Sequence, residues 1–232
     1  MVQVNQATAH TIRFKFKKVG SLQYISHLDL VRTMHKIVVR SSLPLKYTEG
    51  FNPKPKMVFA APLSIGMESV AEFMDLNLSE RVSESEALGL MNANMTDEMQ
   101  VEEAYYPDTK FTDLKWLSYT VSIRTGGASE ELCEAINRAL ACDGIEVEKK
   151  TKSGVKTVNI RPLIKSADAF FDGDEIKIIC LLSADPSEYL NPEHVIKYLK
   201  ASVGILSDPI ITNEYYSILR EKAYTADMKE FR

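Results

Sequence analysis

Between residues 11 and 40 the chain changes hydrophobic period from two to 3.6, and that change restricts the fold more than any other local feature. TIRFKFKK, residues 11–18, alternates apolar and basic side chains, as a strand with one buried face requires. After the Gly20-Ser21 turn, Leu30, Met34, Ile37 and Val38 recur with the spacing of one helix face. That helix has a legible start, with Ser26 as N-cap, Asp29 as an acidic capping-box partner, and Ile25 with Leu30 as a hydrophobic staple. A strand that feeds a helix through a short turn calls for a sheet with helices packed against it.

The same punctuation continues. KMVFAAPLS and SVAEFMDLNLS predict two strands, SESEALGLMNANM a helix opened by Ser83 with Glu86 three residues on, and MQVEEAYYP a strand, giving the order βαββαβ. The second half repeats it in outline: KWLSYTVSIRT as strand, ASEELCEAINRALAC as helix, IEVEKKTKSGVKTVNI as a hairpin turning at Lys152 to Gly154, DEIKIICLLS as strand, NPEHVIKYLKAS as helix and PIITNEYYSILREKAY as strand. RPLIKSADAFFDGD, residues 161–174, does not fit this unit and is assigned as an insertion. The expected fold class is α+β: two tandem ferredoxin-like (βαββαβ) units, with antiparallel sheets and helices on one face. The boundary falls at YYPDTKFTD, where Pro107 meets a polar run, so the expected domains are 1–110 and 111–232.

Charge is distributed unevenly. Residues 1–66 carry ten Lys/Arg and two Asp/Glu, a net of +8; residues 67–148 carry five and eighteen, a net of -13; residues 149–232 carry thirteen and twelve, a net of +1. Screening over roughly 10 Å lets a basic patch act independently of distant acidic residues. Three scattered cysteines, Cys133, Cys142 and Cys180, form no CxxC pair and fit reduced, small apolar residues in the cytoplasm. The N-terminus has no apolar h-region, and no apolar run approaches the ~20 residues of a membrane span. A cytoplasmic protein with no membrane partner is expected.

Catalytic scaffolds are missing from the sequence. No HxH, HxxxH, HExxH, GxSxG, GxxxxGK[ST] or GxGxxG is present, so no metal or cofactor is expected. His27, in the first turn of the capped helix, is the one histidine placed to serve as a general base, and the segment SHLD is equally explained as helix-start grammar. Binding has more support. Nine of the ten N-terminal cations fall in three clusters: Arg13, Lys15 and Lys17 on the strand; Arg32, Lys36 and Arg40 on the helix; Lys46, Lys54 and Lys56 in the passage KYTEGFNPKPK. Such a footprint tracks a phosphate backbone. In that passage Pro53 and Pro55 restrict the chain and Gly50 permits a bend, so Tyr47 and Phe51 are either preformed stacking groups or anchors to the core. Phe14 and Phe16 alternate with the basic residues of the strand and are expected in the core, with base stacking on an open sheet face as the alternative. Asp29, Glu49 and Asn52, with His27, would orient the site or read polar edges.

YISHLDLVR, LPLKYTEGFNPKPK, APLSIGMES and EFMDLNL, followed more weakly by NIRPLI near residue 160, resemble the uncharacterised bacterial family labelled radical-SAM-linked or radical-SAM-associated. The resemblance implies a separate radical SAM enzyme as partner, since this chain has no CxxxCxxC of its own, and an RNA or ribosome context. The family often has His where Lys54 stands. The order of elements is also similar, at the level of fold, to that of CRISPR repeat-associated endoribonucleases. The leading expectation is a non-catalytic module that binds tRNA or ribosomal RNA for a radical SAM partner. Two alternatives stand beside it: a metal-independent endoribonuclease using His27, and a protein-interaction module without RNA binding.

Overall fold

A computed structural model describes residues 10–151, 154–207 and 213–232. They fall into two compact units, the described residues up to 111 with Arg232, and those from 112 to 231.

In the first unit the order is β1 (His10–Lys18), α1 (His27–Arg40), β2 (Met57–Phe59), β3 (Glu68–Leu78), α2 (Glu84–Asn92) and β4 (Val101–Tyr105). All its strands pair antiparallel, β1 lying between β4 and β3, with β2 on the other side of β3. The alternation in β1 places Ile12, Phe14 and Phe16 in the core, fully buried with Met34, Val38, Met74 and Leu76. α1 starts where its residues dictate: the Ser26 hydroxyl accepts from the Asp29 amide at 3.1 Å and donates to the Asp29 carboxylate at 2.6 Å. Leu30, Met34, Ile37 and Val38 are the buried face of α1, and Ile25 packs on the same core. Ser83 caps α2 through the Glu86 amide at 3.3 Å. At the turn after β1, Gly20 combines a φ of 61° with a close approach, since a Cβ there would lie 2.3 Å from the Glu98 carboxylate.

The second unit runs β5 (Trp116–Arg124), α3 (Glu130–Leu140), β6 (Glu146–Thr151), β7 (Gly154–Asn159), β8 (Ile164–Asp172), β9 (Glu175–Ser183), α4 (Glu193–Ser202) and β10 (Tyr215–Tyr224). Its sheet has the order β10-β5-β9-β8, every pair antiparallel. Strict alternation in β5 buries Leu117, Tyr119, Val121 and Ile123. β6 and β7 pair only with each other, as a separate ribbon.

This exchanges two sequence-based assignments. Residues 161–174, expected as an insertion, supply β8, whereas the hairpin expected inside the repeating unit stands outside the sheet. β8 is the edge strand and buries only Ile164 and Ala169, so its alternation is diluted, while the hairpin alternates visibly without joining a sheet. The Asn137 side chain of α3 both donates to the Ala169 carbonyl and accepts from its amide, at 2.8 and 2.7 Å. Lys152, where the hairpin turn is expected, and residues 209–212 of the last expected strand lie outside the described residues. Cys133 and Cys180 are buried, and Cys142 is exposed. No helix among the described residues is long and apolar enough to cross a membrane.

Candidate nucleic-acid interface

Two features of the first unit are shaped by local chemistry into an outward surface. The first is α1. Its buried stripe leaves Arg32, Lys36 and Arg40, at i, i+4 and i+8, exposed on the opposite side, flanked by exposed Leu28 and Val39. Arg32 pairs with Asp29 at 3.2 Å. The Ser26 hydroxyl, with Arg32, holds the Asp29 carboxyl below the usual carboxylate range, so Asp29 stays charged and partly neutralises Arg32. Lys36 and Arg40 have no side-chain partner among the described residues.

The second is the loop between α1 and β2. Its arms pair with each other: the Thr48 amide donates to the Lys54 carbonyl at 2.8 Å, the Lys54 amide to the Thr48 hydroxyl at 3.0 Å, and the Lys56 amide to the Lys46 carbonyl at 2.9 Å. Asn77 of β3 ties both arms to the sheet, its carbonyl accepting from Lys46 and its amide donating to the Lys56 carbonyl, each at 2.9 Å. Pro55, buried opposite Tyr47, is the anchor of the loop. The tip holds Glu49, Asn52 and Pro53, all exposed, around Gly50 at a φ of 122° that few other residues adopt. Phe51 is fully exposed, and Tyr47 is 44% exposed. Neither aromatic anchors the loop to the core. A phenyl ring held in water on a braced loop leaves little ordering entropy to lose when a base stacks on it.

His35 connects the two features. Burial, and then the Lys54 ammonium, push its imidazole below the ordinary histidine range, so the loop lysine lies within electrostatic reach of α1. Sequence reasoning passed over His35. Its signal was position alone, at the half-buried flank of α1, one turn from Arg32 and from Val39.

The remaining expected residues are placed differently. Arg13 is fully buried and presents nothing to a phosphate. Its Nε and Nη2 donate to the two Asp75 carboxylate oxygens at 2.6 and 2.9 Å, Nη1 donates to the Thr109 hydroxyl at 2.8 Å, and its guanidinium lies 4.4 Å from the centre of the Phe111 ring. The charged face of β1 is covered at that point, which corrects the expectation of a phosphate contact from Arg13. Lys15 is half-buried and pairs with Glu103 at 3.0 Å. Lys17, Lys46 and Lys56 are half-buried. His27 is half-buried too, its ring packed edge-on against Phe59 with centroids 5.7 Å apart. The structure therefore brings together α1 and the loop, and leaves the strand cluster out.

These features define a class: an α+β protein with antiparallel sheets, carrying a cationic helix beside a rigid loop that displays an aromatic ring. The chain belongs to the family described as "Uncharacterized protein conserved in bacteria (DUF2344)", whose profile matches residues 11–192 and so includes α1 and the loop. No curated protein matches. Among solved structures, the chain is similar to one from the "Crystal Structure of a Cbf5-Nop10-Gar1 Complex", with 8% identity and a TM-score of 0.49, over 92% of this chain and 49% of that one. It is also similar to an unknown protein from Galdieria sulphuraria, with 9% identity and a TM-score of 0.26, over 91% and 98% of the two chains. The chain spans about half the length of the first of these. Neither likeness is close enough to carry an argument about function.

Proposed function

We propose that the protein is a non-catalytic RNA-binding module built from two tandem ferredoxin-like units, with α1 and the 46–56 loop of the first unit as its RNA surface. The observation that carries this reading is Phe51, fully exposed on a loop braced at both arms. A bare aromatic on a rigid support serves a flat partner, and Lys36, Arg40 and Lys54 supply the cations that hold a phosphate backbone on either side of a stacked base. Asp29 and Glu49 temper plain charge attraction and favour selective contacts. Binding is preferred to cleavage because the His27 ring is packed on Phe59 and no acid–base partner is hydrogen-bonded to it among the described residues. Single-stranded segments of tRNA or ribosomal RNA suit such a surface. That the module works with a separate radical SAM enzyme in the cytoplasm rests on the sequence resemblance alone; recovery of such an enzyme with the tagged protein from its own cells tests it, and repeated recovery without one contradicts it.

Binding is expected to depend on pH through His35. In the unbound protein, burial and Lys54 disfavour the imidazolium. A phosphate beside Lys54 offsets the lysine charge and favours protonation, so the complex takes up a proton and affinity is gained as pH falls through the bound-state pKa. A rise in affinity as pH is lowered from neutral through the histidine range is therefore expected. His35→Gln should flatten that portion of the profile, and an unchanged slope in this variant would remove His35 from the surface. Fluorescence anisotropy with a labelled single-stranded RNA is the direct measurement.

A further inference from the structure

A second group of cations lies in the other unit, where the β6–β7 ribbon meets α4. The register of the ribbon sets Val147 opposite Val158 and, two residues on, Lys149 opposite Lys156. Directly opposed like charges weaken a strand pair. Glu146 and Glu148 belong to the other face of the ribbon, opposite Asn159 and Thr157, and so do not neutralise the lysine pair. Lys197 of α4 is held at the ribbon by donating to the Glu148 carbonyl at 3.3 Å. His194, one turn earlier on α4, is half-buried, and burial followed by Lys149 and Lys197 lowers its pKa. The neighbouring carboxylate, Glu193, is occupied by the Tyr216 hydroxyl at 2.8 Å. No carboxylate pairs with Lys149, Lys156 or Lys197 among the described residues.

We propose that Lys149, Lys156, Lys197 and His194 form a second contact for the phosphate groups of an RNA strand. This rests on the RNA-binding reading of the first unit and extends it to the second. Three ammonium groups and the imidazole beside them suit a ligand with several anionic oxygens, which a single carboxylate would not supply. Lys156 on the ribbon and Lys197 on α4 are both exposed and Lys149 is half-buried, so the cluster is open to solvent and accepts a passing backbone better than it encloses a free ion.

The test compares the full chain with Lys149→Ala/Lys156→Ala, Lys149→Arg/Lys156→Arg and Phe51→Ala, by anisotropy of a labelled single-stranded RNA across salt concentrations. The alanine pair should lose about tenfold in affinity and make the salt slope shallower by about 1.4, two contacts at about 0.7 each for a single strand. The arginine pair should retain both. Circular dichroism should show all variants folded, because these substitutions leave the core untouched. If the full chain binds RNA and Phe51→Ala weakens it while the alanine pair changes nothing, the second contact is overturned and the first-unit reading stands. If the full chain binds no RNA, the first-unit reading fails and this inference with it. If the alanine pair loses inorganic phosphate binding, read from the His194 ring resonances, yet binds RNA as before, the cluster is a free-anion site and the assignment to RNA is overturned.

Discussion

Arg13→Ala is expected to destabilise the protein by about 3–5 kcal/mol, the range for removing one partner of a buried ion pair. Arg13 is fully buried and Asp75 is 18% exposed, so this pair differs from a surface salt bridge, whose removal costs about 0–1 kcal/mol. Alanine would strand the Asp75 carboxylate, remove both donors to Thr109 and take the guanidinium off the Phe111 ring. Urea denaturation followed by circular dichroism measures the loss. Arg13→Met combined with an apolar replacement of Asp75 should recover much of it, because the cost lies in the uncompensated charge rather than in the missing attraction. A loss below about 1 kcal/mol in Arg13→Ala would mean that water reaches Asp75 and that Arg13 is not sealed in the sheet.

Phe51→Ala should weaken RNA binding by about 1–3 kcal/mol, roughly fivefold to 150-fold, with no loss of stability. The two halves of that expectation have one cause. Phe51 is fully exposed, so its ring makes no core contact to lose, and all the energy it can contribute is realised on binding. Phe51→Trp should retain or strengthen the interaction, since a larger ring offers more stacking area. Tyr47→Ala should cost less, because Tyr47 is partly covered and is paired across the loop to Pro55. Equal affinity for wild type and Phe51→Ala would take the loop out of the site.

How far the sequence could be read depended on whether the decisive interaction was local. The α1 cap is contained in Ser26-His27-Leu28-Asp29, and the buried face follows from spacing, so both were legible. The stiffness of KYTEGFNPKPK was legible from its prolines and glycine. Which way Phe51 points was not, because the anchor of the loop is Pro55 and the clamp is Asn77, more than twenty residues further along. The fate of Arg13 was hidden for the same reason: alternation assigns it to a face, but what covers that face comes from Asp75, Thr109 and Phe111, brought there by the fold. In the second unit an edge strand with two buried side chains gave a weaker signal than a ribbon that joins no sheet, and the two were exchanged. The electrostatic link between His35 and the loop exists only once the fold brings Lys54 there, on top of the larger effect of burial.

The claim that the first unit is an RNA-binding surface is tested most directly by the affinity of the full chain for single-stranded RNA as salt is raised from about 50 to 200 mM. Contacts from Lys36, Arg40 and Lys54 alone predict a linear fall of log K with log salt of slope about -2, at about 0.7 per phosphate. No binding at the lowest salt, or an affinity that does not change with salt, would contradict it.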